Sequence, residues 1–164
     1  MPIREAEAKA VRRIIEARFG EGKTADKNWV ICGDMNDYRM CIKVQGDRHT
    51  GLEFKPHHEP KSGYDDLLNN GFSEDVSSRI SEMERWTLYH ARGLDERHLC
   101  QLDYLFLSPQ LAKRNPKAMP EIIREGQPFR TPFPDGQSVE RYPRTGWDRP
   151  KSSDHCPVVV ELTI

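Results

Sequence analysis

Trp29-Val30-Ile31-Cys32-Gly33-Asp34-Met35-Asn36-Asp37 is the stretch on which the reading of this chain turns. Four apolar residues in a row, closed by glycine, predict a short strand, Trp29–Cys32, buried on both faces. Gly33 lets the backbone turn or a neighbour come close. Side chains two apart share a face of an extended chain, so Asp34 and Asn36 are expected to leave the strand end in one direction. A carboxylate beside an amide can hold one water. The acid accepts its proton, and the amide orients it or donates to a developing negative charge.

Upstream of that strand, Pro2 opens an Ala-rich, charged segment that predicts a helix to Phe19. Val11, Ile14, Ile15 and Phe19 form its apolar stripe, and Gly20 ends it. Downstream, Asp37 to Gly63 has no clean period; Gly46, Gly51, Pro56 and Pro60 interrupt it, so a long loop is expected. Tyr64–Asn70 reads as a short helix closed by Gly71. Arg85–Tyr89 and Leu99–Leu107 read as strands, the second apolar almost throughout except for Gln101 and Asp103. Ser108-Pro109 is capping chemistry for another short helix. Met119–Arg124 reads as a strand, Phe129–Lys151 as a Pro-rich loop, and Pro157–Ile164 as the last strand. Helices and strands alternate only partly. That predicts an α/β layered fold with one mixed or antiparallel sheet, built from Trp29–Cys32, Leu102–Leu107 and Pro157–Ile164.

Two further clusters carry chemistry. Asp103 stands inside Gln101-Leu102-Asp103-Tyr104-Leu105-Phe106-Leu107. A lone carboxylate in such a run is costly unless paired, and its natural partner is an imidazole or a cation. Ser153-Asp154-His155-Cys156-Pro157 precedes the last strand. Asp154 can bind a hard cation such as Mg²⁺ through oxygen. His155 can contact a phosphate oxygen or exchange a proton with it, since imidazole changes charge near neutral pH.

Taken in order, Gly33-Asp34-Met35-Asn36, Trp86-Thr87, Leu102-Asp103-Tyr104-Leu105-Phe106 and Ser153-Asp154-His155-Cys156-Pro157-Val158 resemble the later motifs of the endonuclease/exonuclease/phosphatase family. Its members include apurinic endonucleases, pancreatic-type deoxyribonucleases, sphingomyelinases and inositol polyphosphate phosphatases. The resemblance spans nearly all of the chain and implies that residues 1–164 are the C-terminal portion of such a domain, roughly half of a four-layer α/β sandwich. It implies hydrolysis of a phosphate ester, by in-line displacement at phosphorus. Asp34 would orient or deprotonate the attacking water and Asn36 would help hold it. His155 would bind the scissile phosphate, Asp103 would orient that imidazole, and Asp154 would contribute to a Mg²⁺ or Mn²⁺ site. Trp86 and Thr87 would line the pocket wall. The family's earlier parts are an Asn, a main metal-binding Glu and often a His. None has a counterpart here, so the main Glu ligand is expected outside this chain. The chain alone is then expected to bind metal weakly and to turn over poorly. Its uncovered sheet face is expected to favour self-association or the missing N-terminal half. The alternative is an inactive binding or interaction module that keeps the fold.

Composition sets the outer bounds. A chain of 164 residues suffices for one domain, yet its 36% hydrophobic share is low beside 31% charged residues. Long loops or membership of a larger core would each explain that. The net charge of −1 gives no overall field for nucleic acid, although residues 113–151 hold nine Lys and Arg against five Asp and Glu and could meet a phosphate-bearing substrate. Cys32, Cys41, Cys100 and Cys156 form no C-x-x-C pair; free thiols in a reducing, cytoplasmic setting are expected. No segment is apolar enough to span a membrane, and the charged N-terminal helix does not read as a signal peptide. A Ser-His-Asp hydrolase is disfavoured by the lack of a G-x-S-x-G elbow. Nucleic acid, phospholipid, inositol phosphate and nucleotide substrates are not distinguished by these motifs.

Overall fold

The computed structural model describes residues 2–47, 49–93, 96–147 and 153–164. The chain opens with α1 (Pro2–Phe19), closed where Gly20, in the left-handed region at φ 92°, donates its N–H to the Glu16 carbonyl at 2.8 Å. Then come β1 (Val30–Asp34), β2 (Met40–Asp47), β3 (Gly51–His58), α2 (Asp65–Leu68) and β4 (Glu74–Asp75). The second half holds β5 (Leu88–Ala91), β6 (Arg97–Cys100), β7 (Asp103–Leu107), α3 (Pro109–Arg114), β8 (Glu121–Ile122) and β9 (Val158–Val159). The architecture is mixed α/β with antiparallel sheets and a few helices.

The strands form three ladders rather than one sheet: β1-β7-β4, β3-β2-β6-β5 and the pair β8-β9. Every pairing is antiparallel. The expected single strand Leu99–Leu107 is broken at Gln101-Leu102. Its first part lies in the four-stranded sheet and its second in the three-stranded one, so this segment carries the chain from one sheet to the other. The closing segment is also shorter in strand than expected. Only Val158 and Val159 pair, with β8 and not with β1 or β7. Val160 and Leu162 instead pack with Val76, Leu107, Leu111 and Ala112. The Asn115 side chain replaces a ladder for the chain end: its Nδ2 donates to the Thr163 carbonyl at 2.9 Å, and its Oδ1 accepts the Thr163 N–H at 2.7 Å.

The expected loop Asp37–Gly63 is largely the β2–β3 hairpin. Its glycines mark the turn instead of interrupting a strand. Gly46 and Gly51 take φ of 82° and 83°, and the Asp47 carboxylate accepts the N–H groups of His49 and Thr50 at 2.7 and 2.9 Å. Met40, Ile42 and Val44 face one side, against Trp86, Leu99, Ile122 and Cys156. The Pro-rich segment from Phe129 contains no strand or helix through residue 147, and its end, 148–151, lies outside the described residues.

The three-stranded sheet has two different faces. Tyr104 and Phe106 pack with Trp29, Tyr64, Leu67, Phe72 and Ala8, and Val11, Ile15 and Phe19 of α1 lean on this cluster. Ile14, expected on the same stripe, is 68% exposed. On the other face Leu105 and Leu107 meet α3 and the C-terminal segment. Here β1 departs from its expected burial on both faces. It is paired on one side only, among the described residues, and Val30 is 40% exposed, with Cys32 open beside it.

A side chain at Gly46 tests the hairpin. A Cβ there would collide with the Gly51 carbonyl, in a backbone conformation that L-residues avoid. Gly46→Val is expected to cost roughly 1–3 kcal/mol in urea unfolding, whereas Gly93→Ala, where a Cβ meets open space, is expected to be near neutral.

Candidate active site

Antiparallel pairing of β1 with β7 sets Asp34 directly opposite Asp103 at the end of both strands. Two like charges so placed repel. The third group is His155, whose Nδ1 lies 2.7 Å from Asp103 Oδ2. One donor atom from each of Asp34, Asp103 and His155 can be chosen so that all lie within 4.8 Å of one another. Three segments far apart in sequence therefore meet at one polar rim.

A buried threonine places these groups. Thr87 is fully enclosed. Its Oγ1 accepts the N–H groups of Leu102 and Asp103 at 3.0 and 3.2 Å, holding the chain where it passes between sheets. Its own N–H donates to the Cys100 carbonyl at 2.8 Å, and its carbonyl accepts the Cys156 N–H at 2.7 Å. One residue thus fixes Asp103 and, through the adjoining Cys156, the position of His155. Leu88 makes the neighbouring bridge to His155. Further support comes from Gln127, whose Nε2 donates to Cys156 Sγ at 3.3 Å.

Trp86 is equally enclosed. Its ring packs under the Arg124 guanidinium at 4.4 Å, and its Nε1 donates to Gln137 Oε1 at 3.1 Å. The sequence expectation that Trp86 and Thr87 line a pocket wall is therefore corrected. Neither has surface to offer a ligand, because both are used up in joining the four-stranded sheet to the segments over it.

Asn36 and Asp154 also differ from expectation. β1 ends at Asp34, and Asn36 follows at φ 51°, with its N–H donating to Asp34 Oδ1 at 2.6 Å. The chain is no longer extended there, so the two-residue alternation does not carry Asn36 onto Asp34's face. Asn36 instead borders a cleft of about 250 Å³ with Tyr38, His90, His98 and Cys100. Asp103 and His155 border another, of about 270 Å³, with Gly33, Tyr104 and Ser153. Asp154 is exposed and stands outside the cluster of Asp34, Asp103 and His155. It reaches the site only as a charge acting on His155.

The electrostatics follow from this geometry. Burial by itself would lower the His155 pKa. The hydrogen bond to Asp103, with the charges of Asp103, Asp34 and Asp154, outweighs burial and holds it above its ordinary value. When protonated, the ring offsets the opposed carboxylates. In the second cleft the balance is reversed: burial, with His90 and Lys43 nearby, lowers the pKa of His98.

Among the described residues, Asp34, Asp103 and His155 are the one group of this kind close enough to share a cation. The donor set does not make a Mg²⁺ or Mn²⁺ site by itself. Two carboxylates face an imidazole nitrogen in place of further oxygens, and one of the carboxylates is already bonded to that imidazole. Asp154, the expected ligand, is not among them.

No family model, curated protein or solved structure matches this chain. The site therefore speaks through its own geometry. Two carboxylates and an imidazolium can take up a proton from water and offer a cationic N–H to an anion, since Asp103 occupies Nδ1 and leaves Nε2 for another partner.

The sign of the His155 shift gives a test. Its raised folded pKa means that its contribution to stability is complete below the ordinary imidazole value and disappears as pH rises through the folded value. Asp103→Asn should lower the His155 pKa in an NMR titration, and its stability deficit should shrink as pH rises through that value. Thr87→Val removes the acceptor of two half-buried N–H groups. It should cost roughly 1–3 kcal/mol and also alter the His155 titration, whereas an effect on stability alone would show that Thr87 does not position the pair.

Proposed function

We propose that this chain carries the phosphate-facing part of a divalent-metal-dependent phosphoesterase active site, of the endonuclease/exonuclease/phosphatase type. The observation that carries this reading is the joining of Asp103 to His155 with Asp34 across the strand pair. In it, Asp103 accepts the Nδ1–H of a protonated imidazole, whose Nε2–H donates to a phosphate oxygen. Asp34, the outer carboxylate, accepts a proton from an attacking water. Exposed Asn36, one turn beyond, contacts the substrate from the neighbouring cleft. Mg²⁺ or Mn²⁺, when bound, would supply neutralising charge at the phosphate. The residues present do not complete its shell, so the main Glu ligand belongs to a segment outside this chain.

The incomplete donor set also favours a second reading, a binding module that keeps the fold without turnover. Hydrolysis of bis(4-nitrophenyl) phosphate by the full-length gene product, with Mg²⁺ or Mn²⁺, separates the two. Asp34→Ala and His155→Ala should each lower the rate by roughly 100-fold or more. An unchanged metal-dependent rate in Asp34→Ala would favour the binding module. Residues 1–164 alone should show no saturable Mg²⁺ heat in the micromolar range by calorimetry.

Partner binding follows from the same reading. The edge of β1, unpaired among the described residues and carrying exposed Val30 and Cys32, suits either a second copy or the remaining half of the domain. Light scattering should report species larger than 19.0 kDa for residues 1–164, and Val30→Lys should shift them toward monomer. A stable wild-type monomer would remove self-association from the proposal. No helix among the described residues is long and apolar enough to cross a membrane.

A further inference from the structure

We infer that Cys41 and Cys100 are a paired thiol site that a hydroperoxide converts to a reversible disulfide across β2 and β6. The ladder places the two residues directly opposite one another. Opposed residues in an antiparallel pair have Cα atoms about 4.5 or 5.5 Å apart, depending on the hydrogen-bond pattern. Both spacings lie within the range of about 4.4–6.8 Å that a disulfide spans. The two thiols are close enough to perturb one another's titration. Neither remaining cysteine has such a partner: Cys32 sits opposite Leu105, and Cys156 Sγ accepts from Gln127. All four are free thiols in the structure.

Access selects the oxidant. Cys41 is wholly enclosed, and Cys100 is 4% exposed where it borders the cleft with Asn36, Tyr38 and His98. A hydroperoxide fits such an opening, whereas a bulky disulfide reagent does not. Cys100, the thiol at the cleft, therefore meets the peroxide first. Cys41 lies behind it; the neighbouring Cys100 thiol and the Lys43 charge lower its pKa in spite of burial, so the pair can lose one proton between them.

The chemistry balances with hydrogen peroxide as co-reactant. With one proton lost from the pair, the Cys100 thiolate attacks one peroxide oxygen and the O–O bond breaks. The departing hydroxide takes a proton to become water, leaving a sulfenic acid on Cys100. The Cys41 sulfur then attacks the Cys100 sulfur. The S–O bond breaks, and the leaving hydroxide becomes water with the proton from Cys41. Two thiols and one peroxide give one disulfide and two waters, with sulfur oxidised and oxygen reduced. The product ties β2 to β6. It also removes the Cys41 thiol that acts on the titration of Tyr38, just beyond Asp34 and Asn36. This inference stands apart from the phosphoesterase reading.

The test uses the wild-type chain. It is exposed to hydrogen peroxide, free thiols are alkylated, and the protein is digested without reductant for mass spectrometry. A linked peptide pair containing Cys41 and Cys100, lighter by two hydrogens and released by dithiothreitol, is expected. The oxidised protein should melt at a higher temperature than the reduced one, and Cys41→Ser/Cys100→Ser should lose both the link and the shift. Cys41 and Cys100 that stay alkylatable, or that reach sulfinic or sulfonic acid without linking, would overturn the inference. So would a digest in which Cys32–Cys32 links between chains are the sole product. The wild-type digest decides the matter even if the variant fails to fold.

Discussion

The acidic rim depends on one buried hydroxyl. Thr87 Oγ1 takes two successive N–H groups, Leu102 and Asp103, at the point where the chain leaves one sheet for the other. Without that acceptor, the apolar run from Leu99 to Leu107 has no reason to bend where it does. A straight strand would stay in one sheet and carry Asp103 away from His155. The Thr87 backbone adds the link to Cys156. A single enclosed residue therefore sets the register of both members of the Asp103–His155 pair. Its hydroxyl is worth more there than in water, because the alternative is two half-buried donors left without it.

This explains which parts of the molecule were legible in the sequence. Helix α1, its glycine stop and the Ser108 cap depend on local rules, and they stand where those rules put them. Ser108 Oγ accepts the Leu111 N–H at 3.2 Å. The meeting of Asp34, Asp103 and His155 was legible because a carboxylate inside an apolar run needs a partner and few segments could supply one. The β2–β3 hairpin was hidden because its glycines serve a turn, while a period-based reading treats them as breaks. The split of Leu99–Leu107 was hidden because its cause, Thr87, lies fifteen residues away from Leu102 in sequence. Trp86 and Thr87 were expected on a pocket wall and are instead enclosed; a motif states that residues belong near a site and does not state whether they touch a ligand or hold those that do.

Opposing Asp34 to Asp103 costs stability in an isolated strand pair. His155 is the compensation, and it acts on both carboxylates, through a hydrogen bond to one and through space to the other. The consequence is a site whose charge is set by one ring. With the imidazole protonated, the cluster holds a cation ready to meet an anion. With it neutral, two carboxylates face each other with less to separate them. Asp154, exposed at the margin, pushes the balance further toward the protonated state.

The same arrangement limits what the chain can do unaided. An imidazolium close to two carboxylates competes with any added cation for the same oxygens, so a metal must bring or find other ligands to displace it. β1 shows a parallel deficit in packing. One face rests on the α1 cluster through Ile31, while Val30 and Cys32, at the edge of the other face, remain exposed. Both deficits lie on the strand that ends in Asp34. A segment laid along that edge would cover the apolar side chains and stand beside the acidic rim at once.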